Sequence, residues 1–176
     1  MTSSSPTASP EARLRDTADP DRDDPVRALK RTFGAYPTGV TVVTTMHDGA
    51  PLGFTANSFT SVSLDPPLVL VCHGSYATSH AAFRDAGGFA VNILAADQEA
   101  LAMRFASRVE DRFAEIGWRE GAGGALLDGA AAWLDCEMHA THEAGDHTIL
   151  VGRVLDHHDS GRAGLLYSRG RFGSAG

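Results

Sequence analysis

Four residues within six positions could perform acid–base or metal chemistry. They lie in the stretch THEAGDHTILVG, residues 141–152, and are His142, Glu143, Asp146 and His147. Imidazole and carboxylate groups at this density could bind a metal ion, act as a general acid and base, or border a ligand pocket. Which of these they do depends on the elements that carry them.

The local geometry argues against assembling a metal site from this stretch alone. His139 and His142 are three residues apart on a predicted strand, so they point to opposite faces, and the helical H-E-x-x-H spacing is not matched. Residues 144–146, Ala-Gly-Asp, are typical of a tight hairpin turn. A second cluster, residues 157–159, adds two histidines and an aspartate. From the residues alone, His147 could be structural, solvated, a pocket residue or a metal ligand.

A second group of candidate residues is the run GFTANSFTSVSLDPP, residues 53–67. Its short donors and acceptors suit the polar edge of a planar heterocycle, although an edge strand facing water would look the same. These side chains are Thr55, Asn57, Ser58, Thr60, Ser61 and Ser63. Neither G-x-S-x-G nor S-x-x-K surrounds any of these serines, so a nucleophilic serine is not indicated.

Charge and cysteine content narrow the class of protein. Fifteen basic and 22 acidic residues give a net charge of -7, which disfavours nucleic acid and anionic membranes as partners. The two cysteines, Cys72 and Cys136, are too few for a disulfide framework or a paired-cysteine zinc site, so a cytoplasmic setting is expected. Residues 1–24 are rich in Ser, Thr, Pro and Asp, which predicts a disordered tail.

The remaining chain, residues 25–176, is predicted to form one mainly β domain. A short helix is expected after Asp24, with Pro25 in its first turn, and it should end at Pro37. β-branched runs between turn signals then predict many short strands, with further helical segments near residues 75–85 and 97–106. This pattern favours a closed or nearly closed β-barrel, and the G-x-G-x-x-G signature of a doubly wound sheet is missing from the sequence.

Several of these fragments together resemble the flavin reductase family, the small FMN-binding split-barrel reductases that accompany two-component flavin monooxygenases. The resemblance runs from about Leu29 to Phe172. Its most specific part is the run T-A-N-S-F-T-S-V-S-L-D-P-P. In order, the matching fragments are TGVTVVTT, GFTANSFTSVSLDPPLVLVC, FAVNIL, RFA, AGDHTILVGRV and LLYSRGRF.

The resemblance implies a flavin site that binds FMN or FAD. The implied flavin residues are Pro37, Thr38, Gly39, Ala56, Asn57, Ser58, Phe59, Cys72, Ser79 and Arg112. Ser79 closes the segment after the LVLVC strand and is expected to give a hydroxyl to the flavin phosphate. Arg112 either helps to neutralise that phosphate or is a solvated surface residue. Two departures from the family pattern are the histidines that flank this segment, His73 and His80, and Phe172 in place of a tyrosine.

The same resemblance assigns His147 to the nicotinamide pocket. Hydride would pass directly from nicotinamide C4 to flavin N5, so no catalytic side chain and no metal are predicted. The implied function is an NAD(P)H:flavin oxidoreductase of bacterial type, with NADH expected more than NADPH. It would be a homodimer supplying reduced flavin to a partner monooxygenase. The alternatives are a flavoprotein that retains FMN and reduces another acceptor, and a flavin-binding module without reductase activity.

Overall fold

A computed structural model describes residues 24–109 and 111–174 of this protein. The predicted tail therefore lies outside the described residues, except for Asp24. The chain divides into two compact units, residues 1–36 and 37–176. The single domain predicted for residues 25–176 stays a prediction, and each unit is described by itself.

The described part of the first unit is helix α1 (Pro25–Gly34). The Asp24 carboxylate accepts hydrogen bonds from the backbone N–H groups of Val26 at 3.0 Å and Arg27 at 3.1 Å. Pro25 occupies the first turn, where its missing N–H costs nothing. The predicted start of this helix is therefore confirmed, while its end lies at Gly34, before Pro37.

The second unit is mainly β, which confirms the predicted fold class. It also contains two short helices, α2 (His80–Asp85) and α3 (Glu99–Ala106). No helix among the described residues is long and apolar enough to cross a membrane. The strands are β1 (Thr38–Gly39), β2 (Thr41–His47), β3 (Ala50–Ala56), β4 (Thr60–Leu64), β5 (Pro67–Gly74), β6 (Gly88–Ile93), β7 (Trp118–Glu120), β8 (Ala125–Leu127), β9 (Ala132–Ala144), β10 (His147–Asp159), β11 (Leu165–Ser168) and β12 (Arg171–Ser174).

One seven-stranded antiparallel sheet, in the order β3-β2-β6-β9-β10-β5-β4, carries most of the unit. Its two edge strands, β3 and β4, follow each other along the chain but do not pair. Residues 57–59 join them outside any strand. The hydrogen-bonded sheet is therefore open along this line.

Two apolar clusters hold the unit together. Phe83, Phe89 and Leu150 belong to one cluster, and Leu94 and Phe105 belong to the other. Successive residues of β2 are buried in different clusters, because neighbouring side chains on a strand point to opposite faces. The core therefore lies on both faces of the sheet.

The Gly-rich stretch at residues 121–124 connects β7 and β8 and lies directly against the large sheet. A Cβ atom on Gly123 would overlap the carbonyl oxygen of Cys136, and one on Gly124 would overlap that of Thr44. The Asp135 carboxylate accepts hydrogen bonds from the backbone N–H groups of Ala122 and Gly123, at 2.6 and 2.8 Å. These glycines therefore allow the loop to pack directly on backbone atoms.

Candidate functional site

A groove of about 970 Å³ opens where β3, β5 and α3 end, within the size range of small-molecule sites. Its wall combines aromatic rings, aliphatic side chains, hydroxyl groups and backbone. The lining residues are Leu52, Phe54, Thr55, Ala56, Asn57, Ser58, Cys72, His73, Gly74, Tyr76, Ala77, Thr78, Ser79, Phe105, Ala106, Ser107, Arg108, Val109, Arg112 and His147.

The groove brings together seven of the eleven residues singled out from the sequence. These are Ala56, Asn57, Ser58, Cys72, Ser79, Arg112 and His147. They come from four separate parts of the chain, so the groove is a property of the fold and not of one motif.

The other four predicted site residues do not line this groove. Pro37 precedes β1, while Thr38 and Gly39 form it and pair with β11. The Thr38 hydroxyl is buried without a hydrogen-bond partner among the described residues. Phe59 packs against the apolar cluster that contains Phe83. Their predicted contact with flavin stays a prediction.

Ser58 fixes the donor-rich run against β5. Its hydroxyl oxygen accepts a hydrogen bond from the backbone N–H of Cys72 at 2.9 Å. Asn57, beside it, is exposed to the groove. The run therefore leaves the sheet at Ala56 and presents polar groups along the groove wall.

His73 lies beneath the groove in a nearly dry environment. Only 2% of this residue is exposed, because the inward positions of β5 are Val69, Val71 and His73. Burial, with a smaller contribution from the charges of His80 and His147, lowers the pKa of His73 from 6.5 to about 4. The imidazole is therefore neutral at ordinary pH.

His80 belongs to a separate chain of hydrogen bonds behind this wall. Its Nε2 lies 2.8 Å from the Thr148 hydroxyl, which donates to the Glu143 carboxylate at 3.1 and 3.2 Å. Thr148 is fully buried. This chain ties the start of α2 to the β9–β10 hairpin and gives His80 and Glu143 structural roles.

His147 lies at the rim of the groove, at the start of β10. The predicted hairpin turn is confirmed, with Gly145 at φ +65° and His147 paired with Ala144. His147 Nδ1 lies 2.7 Å from an Asp146 carboxylate oxygen, and the histidine side chain is 38% exposed. The Asp146 contact orients the ring and leaves Nε2 for a ligand.

Arg112 lines the groove, but its guanidinium group donates hydrogen bonds to backbone carbonyl groups. Nε and Nη2 donate to the Ser107 carbonyl at 3.1 and 2.7 Å, and Nη1 donates to the Gly53 carbonyl at 3.1 Å. Arg112 therefore fastens the loop after α3 to β3.

Sequence reasoning did not select several groove residues. Phe54, Phe105 and Tyr76 supply aromatic surface, and Tyr76 stands edge-on to His147 with 6.2 Å between ring centroids. The pattern offered one signal for His73, because a polar residue occupies an inward position of an otherwise apolar alternating strand. Nothing in the local sequence distinguishes an aromatic residue that lines a groove from one that is buried in the core.

The described histidines and acids do not form a metal centre. Within residues 24–109 and 111–174, no group of three or more His, Cys, Asp and Glu side chains is arranged to hold a metal ion. The clustered residues face hydrogen-bond partners or solvent instead. The aromatic rings, aliphatic side chains and hydroxyl groups of the groove are of the kinds that line sites for small organic ligands.

Comparison with known proteins gives consistent matches. The family model for the flavin reductase like domain matches residues 33–176. A stachydrine N-demethylase reductase subunit of Rhizobium meliloti is 49% identical over 148 residues, which are 83% of this chain and 64% of that protein. An NADH-dependent FAD reductase of Streptomyces globisporus is 44% identical over 175 residues, covering 96% of this chain and 92% of that protein.

A solved structure gives the same match. The Streptomyces globisporus NADH:FAD oxidoreductase in complex with NAD and FAD fragments has a TM-score of 0.80 and 46% identity, covering 90% of this chain and 95% of that one. Three relatives that are 48% to 50% identical are matched over only 48% to 64% of their own length. The chain thus spans about half to two thirds of those relatives.

Proposed function

Because this chain belongs to the flavin reductase like domain family, we propose that it reduces a flavin with NADH or NADPH and releases the reduced flavin to a flavin-dependent monooxygenase. The observation that carries the proposal is the composition of the groove. Aromatic surface from Phe54 and Phe105 lies in the same groove as hydroxyl groups from Ser58 and Ser79. A flavin has the corresponding apolar ring, polar ring edge and phosphate.

Each part of the groove receives a role in this proposal. Ala56, Asn57, Ser58 and Cys72 border the ring system, and Ser79 binds the phosphate. Arg112 holds the groove wall in place through the two carbonyls that it contacts. A bound flavin supplies the hydride acceptor, its N5 atom. The chain has to hold the two rings at about 3 to 3.5 Å and exclude water.

His147 is proposed to bind the nicotinamide dinucleotide. Its place at the rim, outside the more deeply buried Ser79, suits the ligand that enters second. The Asp146 contact fixes the ring so that Nε2 can bond a carboxamide, ribose or diphosphate oxygen. NADH is favoured by the name of the Streptomyces globisporus relative. FMN and FAD are both retained as flavins.

Assembly and setting complete the proposal. A homodimer is supported by apolar residues left exposed on the edge strand β4, Val62 at 50% and Leu64 at 94%. The partner monooxygenase is inferred from names such as that of the Rhizobium meliloti reductase subunit. A reducing cytoplasm suits Cys72 and Cys136, which are both unpaired.

The proposal is tested by following the flavin through purification and turnover. A diffusible-flavin reductase loses its flavin on gel filtration, and its NADH oxidation then depends on added FMN or FAD with saturation. The rival is a flavoprotein that keeps FMN and passes electrons to another acceptor. Flavin that stays with the protein, together with a rate independent of added flavin, would establish the rival and refute the release step.

A further inference from the structure

We propose that His73 is a positioning residue for phosphate binding: its Nε2–H donates to Ser79 Oγ and so directs the Ser79 hydroxyl hydrogen into the groove. This inference rests on the proposed function and deepens it. His73 does not need to touch the flavin. It sets the direction of a hydroxyl that does.

The first observation is that Ser79 does not cap its helix. Serine is one of the residue types preferred at the N-cap position of a helix, where its side-chain oxygen normally accepts a hydrogen bond from a backbone N–H group. Ser79 occupies that position before α2, yet its side chain makes no capping hydrogen bond. Its hydroxyl lies 3.1 Å from His73 Nε2 instead, and the residue is only 8% exposed while still lining the groove.

The second observation is that the His73 ring is held in one orientation. It stacks on Phe54 with 4.0 Å between centroids and 8° between planes, and it meets Phe83 edge-on at 5.0 Å. His73 and Phe83 are buried, and Phe54 is partly buried against the same cluster. Rotation of the ring out of this plane would break them, and the contact of Nε2 with the Ser79 hydroxyl then fixes which edge of the ring faces Ser79.

The position of the imidazole hydrogen determines whether the Ser79 hydroxyl can donate to a ligand. A neutral imidazole has one N–H and one acceptor nitrogen. If Nε2 were the acceptor, the Ser79 hydrogen would be used inside the wall and could not reach a ligand. With the hydrogen on Nε2, the imidazole donates, Ser79 Oγ accepts, and the hydroxyl hydrogen is left for an anion in the groove. An oxyanion ligand can accept only in this second arrangement, so its binding selects that tautomer.

The phosphate is assigned to the flavin and not to the nicotinamide dinucleotide. Ser79 is buried in the groove wall, whereas His147, the proposed dinucleotide contact, stands at the rim with a 38% exposed side chain. FMN and riboflavin differ only in the phosphate, so the pair isolates this contact. The Michaelis constant for NADH tests the alternative, in which Ser79 binds a phosphate of the nicotinamide dinucleotide.

The test measures FMN and riboflavin dissociation constants by flavin fluorescence for the wild type, Ser79→Ala, His73→Phe and the double variant. Ser79→Ala should weaken FMN binding about tenfold, the size expected for one hydrogen bond to a charged group. His73→Phe keeps a ring between Phe54 and Phe83 but has no donor. It should weaken FMN binding by a similar factor, while riboflavin binding changes less than about twofold in both variants.

The double variant gives the decisive comparison. If His73 acts through Ser79, adding His73→Phe to Ser79→Ala causes no further loss of FMN affinity. His73→Gln should restore most of the affinity, since its amide can donate to the same oxygen. His80→Gln is the matched control, because His80 bonds Thr148 and not Ser79, and its ratio of FMN to riboflavin affinity should equal that of the wild type.

Several outcomes overturn the inference. Equal losses for FMN and riboflavin, or additive losses in the double variant, would make His73 a packing residue only. A raised Michaelis constant for NADH with unchanged FMN affinity would move the phosphate contact to the dinucleotide. If His73→Phe fails to fold, His73→Leu replaces it with the same expectations. A wild type that binds neither flavin would refute the proposed function. If the wild type reduces flavin normally but the variants give one of the contradicting results above, only the positioning role is refuted.

Discussion

His147 is the residue whose substitution separates the two ligand sites. We expect His147→Ala to raise the Michaelis constant for the nicotinamide cofactor at least about tenfold, with flavin affinity changed less than about threefold. The reason is its position at the rim, where Asp146 orients it and a dinucleotide would pass. Steady-state kinetics with each ligand varied in turn measure both effects.

His142→Ala is the control for that experiment, since His142 is exposed and does not line the groove. It should behave as the wild type for both ligands. Equal losses for flavin and nicotinamide cofactor in His147→Ala would contradict the assigned role of His147.

The buried imidazole of His73 should make stability depend on pH. Its pKa is lowered to about 4 in the folded chain, mainly by burial, while the unfolded chain has the ordinary value of 6.5. As pH falls from about 6.5 to about 4, the unfolded state takes up a proton that the folded state does not. The folded state is thus fully favoured above this window and loses up to about 3 kcal/mol across it.

Urea unfolding of the wild type and His73→Gln at several pH values measures this loss. The wild type should lose more stability than the variant between pH 6.5 and pH 4, because Gln does not titrate. Parallel curves over this range would contradict the assigned environment of His73.

The site residues show how far sequence reasoning reaches at this scale. Asn57, Ser58, Ser79 and His147 were predicted because their motifs match a family pattern, and the fold does bring them to one groove. Phe54 was not predicted, since an aromatic residue on a strand has the same local signature whether it lines a groove or fills a core. Which of the two applies to Phe54 depends on how β3 and β5 pack against each other in the folded protein.

At the scale of elements, the Gly-rich loop between β7 and β8 should be intolerant of a single methyl group. Gly124→Ala would place a Cβ against the Thr44 carbonyl, which the antiparallel pairs of β2 hold in place. We expect a loss of at least about 1 to 3 kcal/mol in the free energy of unfolding, the usual cost of overpacking. Thermal and urea unfolding measure it.

Gly87→Ala is the matched control, because nothing lies within 4 Å of the Cβ that it would add. Its stability should stay within about 0.5 kcal/mol of the wild type. A Gly124→Ala variant as stable as Gly87→Ala would show that the loop can move away from the sheet at little cost.

The elements themselves followed from local pattern to different degrees. The cap at Asp24 and the hairpin turn at Gly145 were predictable because each depends on a few neighbouring residues. The helix expected over residues 75–85 begins only at His80. Ser75 is held in a loop by two hydrogen bonds to the Asp146 carbonyl, at 2.9 and 3.0 Å. That partner lies 71 residues away, so local propensity could not reveal it.

For the whole molecule, the mainly β fold with many short strands was predictable, whereas the order of the strands was not. Strand β6 pairs with β2 and β9, and β10 pairs with β5, so half of the neighbouring pairs in the seven-stranded sheet join strands that are not consecutive in sequence. Asn92, buried on β6, donates to the Val42 and Ala125 carbonyls and accepts from the Leu127 N–H, so it links β6 to β2 and β8. Such pairings depend on three-dimensional fit, which periodicity alone does not contain.

Dimerisation is the prediction that belongs to this scale. Sedimentation velocity should give a mass twice that of one chain, and Leu64→Lys on the exposed face of β4 should shift the protein toward monomer. A wild type that sediments as a monomer over the whole accessible concentration range would contradict the proposed assembly.

Anaerobic reduction of free flavin is the decisive experiment for the proposed reductase activity. Purified protein is mixed with excess FMN or FAD, then with NADH or NADPH, and the loss of the visible flavin absorbance is followed. We expect each protein molecule to bleach many flavin molecules, faster with NADH than with NADPH. If the protein binds flavin but neither nucleotide bleaches it, the reductase activity is refuted and the protein is a flavin-binding module.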